Sequence, residues 1–112
     1  METDSVQQLR IKSGILRRLA REYESYIREI QLDKDRISKL KSRGADEYTI
    51  RKQEQVLYET ICMVPNTQKR LQMALNNFSE FIKDCDCGQE MTESEEWKFA
   101  QEIFERAKQI AE

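Results

Sequence analysis

Cys85, Asp86 and Cys87 come nearer to a reactive constellation than any other residues in this 112-residue chain. Two thiolates beside a carboxylate suit a soft metal ion. Zinc sites, however, draw on a second pair or on histidine, and the chain holds three cysteines and no histidine. The missing imidazole also removes the commonest general base. Cys85 and Cys87, one residue apart, are poorly placed to bridge each other, and with Cys62 the odd cysteine count fits a reducing cytosol. Glu93, Glu95 and Glu96 resemble paired carboxylates for acid–base work, but a helix's first turn favours acids for dipole reasons alone. There is no glycine-rich phosphate loop and no serine–histidine–aspartate set. The residues therefore predict a non-enzyme with no catalytic residue, no metal ligand and no cofactor.

Recognition chemistry is better represented. Between Arg10 and Arg21 stand five basic residues (Arg10, Lys12, Arg17, Arg18, Arg21) and no acid, whereas between Glu80 and Glu105 stand nine acids and two lysines. The blocks either support one another across neighbouring helices or leave a surface for a charged partner. A net charge of −2 gives no overall pull towards nucleic acid. The basic block also lacks the interleaved aromatics on which single strands stack. No apolar run reaches the length of a membrane span, and Met1-Glu2-Thr3-Asp4 lacks the layout of a signal peptide.

The elements that must position these groups are helices. Charged residues make up 36% of the chain, with only three glycines and one proline, and the apolar residues recur at alternating intervals of three and four. Ser5 starts a capping-box pattern with Gln8, and the first seam runs Leu9, Lys12, Leu16, Leu19, Tyr23, Tyr26, Ile30, Asp33, Ile37, Leu40. Gly14 interrupts it, either for close approach of another helix or as a tolerated defect. Gly44 ends the helix and Asp46 caps the next. The second seam runs Ile50, Glu54, Leu57, Ile61, Val64, Gln68, Leu71, Leu75, Phe78, Ile82, Cys85. Its register passes straight through Pro65, so the spacing predicts one helix kinked there, with the Ile61 carbonyl short of its usual donor. Thr92 to Glu95 forms another capping box, followed by Trp97, Ala100, Phe104, Ala107 and Ala111 on a third seam.

These readings give a single all-α domain with helices at 5–43, 47–85 and 93–111, folded by short loops into an elongated antiparallel three-helix bundle, a spectrin-like coiled-coil rod. Two helices are long and the C-terminal one is shorter. Folding the sequence at each loop ends the third helix near Thr67. The stretch from Glu22 to Pro65 is then a two-helix hairpin with an open seam. Tyr23 and Tyr26, at the point where the third helix runs out, suit a half-wet surface that a partner covers.

Three stretches together resemble the tubulin-binding cofactor A family. They are Ile11-Lys12-Ser13-Gly14-Ile15-Leu16-Arg17-Arg18-Leu19, then Tyr48-Thr49-Ile50-Arg51-Lys52-Gln53-Glu54, then Val64-Pro65-Asn66 with Lys69-Arg70-Leu71. Arg51 stands where the family usually has lysine, and the third helix matches only in pattern. The resemblance implies a chaperone that binds β-tubulin released from the chaperonin and holds it before heterodimer assembly. It also implies a cytoplasmic, cytoskeleton-associated protein, with other tubulin-folding cofactors as further partners and neither nucleic acid nor membrane. Lys12, Arg17, Arg18, Arg51, Lys52, Gln53 and Arg70 are the expected polar contacts, and Tyr23 and Tyr26 the apolar ones. The alternative is a structural coiled-coil adaptor or a helical module that self-associates into a homodimer through the open seam.

Overall fold

The computed structural model describes residues 2–85 and 88–111. Helix α1 (Glu2–Ser42) and helix α2 (Glu47–Asp84) form a long antiparallel hairpin; a single turn α3 (Gln89–Thr92) leads into helix α4 (Glu95–Ala111). No strand occurs among the described residues. The molecule measures 65 × 21 × 21 Å with a radius of gyration of 19.7 Å, well above the roughly 13 Å of a compact domain of this length. It is the expected three-helix rod.

Local chemistry sets the helix ends. Gly44 takes the left-handed conformation at φ 71°. Around it the Gly44 amide donates to the Lys41 carbonyl at 3.1 Å and the Ala45 amide to the Leu40 carbonyl at 2.9 Å, the two bonds of a Schellman cap. Asp46 then caps α2, accepting from the Thr49 amide at 3.3 Å. Two ends differ from expectation. Helix α1 is already formed before Ser5, where Asp4 suits the positive helix end. Helix α4 is capped by Ser94 rather than Thr92: its hydroxyl oxygen accepts from the Trp97 amide at 3.2 Å and donates to the Met91 carbonyl at 2.6 Å. Thr92 is used up in the preceding turn.

Helix α2 runs unbroken through Pro65. Continuity is the part of the expectation that the backbone establishes. Proline has no N–H, so the Ile61 carbonyl loses its helical donor. Ile61 and Pro65 both lie on an exposed face, where water can take that carbonyl. Nearby, buried Thr67 turns its hydroxyl back to the Met63 carbonyl at 3.2 Å.

The apolar core is confined to one end. Leu9, Leu16 and Ala20 of α1, Leu71, Leu75 and Phe78 of α2, Met91, and Ala100 and Ala107 of α4 are all buried there. Phe78 stacks on Phe104 with ring centroids 5.0 Å apart. Beyond Tyr23 the hairpin buries only Asp33, Ile37 and Thr67. Its seam has also turned: Glu54, Ile61 and Gln68 are exposed, while Gln53, Leu57, Thr60 and Val64 are half-buried. With no third helix to face, α2 presents one narrow edge to α1 instead of a broad stripe.

Asp33 is the polar exception in that seam, with 0% of its surface exposed. Its Oδ1 accepts from Arg36 at 2.7 Å and from Gln53 at 3.3 Å, and its Oδ2 has no hydrogen-bond partner. Arg36 also donates to Glu29 at 3.1 Å, and that bond is the first cause of its raised pKa. An orphaned buried oxygen costs about 1–3 kcal/mol, and apolar replacement of buried polar groups is often neutral or stabilising. Asp33→Leu made together with Gln53→Leu, which removes acceptor and donor at once and leaves half-exposed Arg36 its Glu29 partner, is therefore expected to be neutral or to stabilise the protein by about 1–3 kcal/mol in a urea melt. A lower midpoint would show that the Asp33 layer contributes net stability.

Candidate protein-binding surface

The basic block of α1 is split by helical geometry. Arg10, Arg17 and Arg21 share one stripe, with Gly14 between them, because steps of four and seven return to the same face. That stripe borders α4, where Glu96, Phe99, Ile103 and Arg106 form a second stripe beside the buried seam. Between them runs a groove made of two joined cavities, of about 350 Å³ at Gly14 and about 450 Å³ at Ala20, sharing Arg17, Phe99 and Ile103. Phe99 is 51% exposed and the Arg17 guanidinium sits 5.8 Å from its ring centre.

One ion pair is seen between the charge blocks among the described residues. Among the described residues, Arg10 is the only member of the basic block to reach an acid, Glu96 at 3.5 Å. Arg17, Arg18 and Arg21 make no ion pair, again among the described residues. Three arginines at one end of the rod thus hold no acid among the described residues, Arg17 resting on the Phe99 ring. Exposed pairs are worth little in any case, about 0–1 kcal/mol each.

The nine residues singled out in the sequence do not gather into one patch. Lys12 faces the other flank, its ammonium 5.7 Å from the Phe81 ring centre, in a cavity that includes Ser5, Asn77 and Glu80. Arg17 and Arg18 lie at the three-helix end. In the middle of the rod, Arg70 donates to Glu22 at 2.7 Å, Tyr23 packs against the core and Tyr26 is half-buried. At the hairpin tip, Arg51 pairs with Glu47 at 3.1 Å and Lys52 lies 5.6 Å from the Tyr48 ring centre. Gln53 turns inward to Asp33.

Sequence reasoning passed over Phe99 and Arg106. The signal was available: Glu96, Phe99, Ile103 and Arg106 follow the same three-four spacing, one step off the seam. Of the two readings of Gly14, close approach of a helix and a tolerated defect, the first is not met, because a Cβ there would meet no atom within 4 Å. Helix α4 crosses beside the glycine, not over it. The cysteines also differ from the reduced thiols expected. Cys62 is free and exposed, while Cys85 is disulfide-bonded; its backbone has left the helix at φ −68°, ψ 127°, so helical spacing no longer governs its reach. Asp86 and Cys87, the rest of the soft-metal candidate, lie outside the described residues. Among the described residues no cluster of three or more metal-ligating side chains occurs, and no helix is long and apolar enough to cross a membrane.

Comparison with known proteins accounts for the rod. The family model described as tubulin binding cofactor A matches residues 4–104. The tubulin-specific chaperone A of Gallus gallus is 33% identical over 96% of this chain and 97% of its own length, and that of Mus musculus is 31% identical over the same shares. The crystal structure of tubulin folding cofactor A from Arabidopsis thaliana superposes with a TM-score of 0.84 at 26% identity, covering 96% of this chain and 98% of the other. Human tubulin chaperone cofactor A gives 0.75 at 30% identity, covering 93% and 98%. Matched along almost its whole length in sequence and shape, the chain belongs to the tubulin binding cofactor A family.

Proposed function

We propose that this protein is a holding chaperone for β-tubulin: it binds the subunit released from the chaperonin along its helical faces and keeps it until heterodimer assembly. The observation that carries the reading is the end-to-end match to tubulin-specific chaperones. The surface is suited to such a task. It offers, at the three-helix end, arginines that hold no acid among the described residues and, along the hairpin, exposed Tyr58, Ile61 and Met63. Binding without chemistry requires only such complementary faces. The site of action under this reading is the cytoplasm, in association with the cytoskeleton and with other tubulin-folding cofactors. Offered dissociated tubulin, the immobilised protein is expected to retain the β subunit and to release it in high salt. Failure to retain β-tubulin where a known cofactor A does so removes the reading.

A second reading, self-association into a homodimer, is favoured by one observation. Among the described residues, seven of the ten exposed large hydrophobic side chains fall between Ile27 and Met63, on the part of the rod that α4 does not cover. Light scattering separates the two: dimer mass at all concentrations supports self-association, and monomer mass eliminates it.

A further inference from the structure

We propose that the groove between α1 and α4 is the subsite for an acidic helical segment of the client, anchored by one apolar side chain, and that Gly14 stays bare to make room for it. The proposal rests on the reading of this protein as a holder of β-tubulin and names where and by what chemistry the client docks.

Gly14 lies inside a helix of 41 residues, where glycine is the least favourable residue after proline. Its backbone is not left-handed, since among the described residues Gly44 alone has a positive φ. Nothing in the chain occupies the space above it: an added Cβ would meet no atom within 4 Å. Neither conformation nor internal packing therefore calls for glycine. What the missing side chain does is keep open the upper part of the groove, between Arg10, Ser13 and Arg17 on one wall and Glu96, Phe99 and Ile103 on the other.

Charge selects the occupant. The groove carries Arg10, Arg17, Arg21 and Arg106 against Glu24, Glu96 and Glu102. Two of those acids are engaged, Glu96 with Arg10 at 3.5 Å and Glu24 with Arg106 at 3.7 Å. Arg17 and Arg21 then face one remaining acid of the groove, Glu102, and the surplus positive charge suits carboxylates from outside in the forked geometry that arginine favours. Phe99, half-exposed over Ala20 and Ile103, supplies the apolar floor. An acidic segment with an aliphatic or aromatic residue facing Phe99 satisfies both features. The hairpin groove lined by Lys34, Ile37, Glu54, Leu57, Tyr58 and Ile61 has one charge of each sign and selects for neither.

The test uses the full chain, a fluorescein-labelled helical peptide bearing glutamates at i and i+4 with a leucine beside them, and β-tubulin. Gly14→Leu fills the groove with a better helix former. It is expected to melt about 3–5 °C higher than the wild type, while binding both peptide and β-tubulin about tenfold more weakly. Gly14→Ala is expected to share the rise in melting temperature with a smaller loss of binding. Undiminished β-tubulin binding by a folded Gly14→Leu protein overturns the groove and leaves the chaperone reading intact. If wild-type protein retains no β-tubulin, the chaperone reading falls and the peptide alone decides the groove: loss on Gly14→Leu supports it, and absent or unchanged binding overturns it. A lower melting temperature for Gly14→Leu overturns the premise that the space is empty.

Discussion

Phe78→Ala is expected to destabilise the protein by about 3–5 kcal/mol, the cost of emptying a large aromatic site in a core. Phe78 is 1% exposed and stacks on Phe104, so its loss removes the aromatic contact between α2 and α4. The rod has no second core to fall back on. Its buried apolar residues sit at the three-helix end, and the hairpin beyond Tyr23 adds Ile37 alone. Against a typical stability of about 5–15 kcal/mol, one such truncation takes a large share. Urea melts followed by helical circular dichroism should show a much lower midpoint, with α4 losing amide protection before α1. Ile37→Ala should cost less, about 2 kcal/mol, at the low end for such truncations. Similar costs at the two sites would mean that the hairpin is as well packed as the three-helix end.

Reversal of two adjacent arginines is expected to have the largest effect on binding. Arg17→Glu with Arg18→Glu changes the formal charge by four, from −2 to −6. Neither arginine holds an acid of its own chain among the described residues, and Arg17 rests only on the exposed Phe99 ring. Surface changes of this kind usually stay within about 0.5 kcal/mol of stability. Binding to an acidic client should weaken about 10- to 100-fold, or about 1.4–2.7 kcal/mol, chiefly through slower association. The same double change at Arg51 and Lys52 should act less, because Arg51 is paired with Glu47 and Lys52 lies against Tyr48. Equal affinities for wild type and the Arg17/Arg18 variant would remove the basic block from the interface.

Local rules read the fold well wherever one residue type has one answer. Gly44 could end α1 because only glycine enters the left-handed region at no steric cost, and Asp46 could cap α2 for want of a competing cap nearby. The helix continues across Pro65 because the proline gap falls on a wet face. Ser94 was missed because Thr92 fits the same capping pattern two residues earlier, and the choice depends on the turn at Met91. The seam in the hairpin was misplaced at Glu54, Ile61 and Gln68 because spacing alone does not say how many neighbours a helix has. The binding surface was less legible. Gln53 was an expected polar contact through the resemblance, yet its amide is committed to Asp33, twenty residues away in sequence. Phe99, one step off the third seam, drew no expectation and proved to be groove wall. Such assignments depend on which faces α4 covers, a tertiary fact that no local pattern carries.

The central claim is that this rod holds β-tubulin without modifying it. Sedimentation of the purified chain with dissociated tubulin tests it most directly. A complex of one chain with one β-tubulin, free of the α subunit and broken by salt, is the predicted result. A boundary for the chain alone, unmoved by tubulin at any ratio, would contradict it.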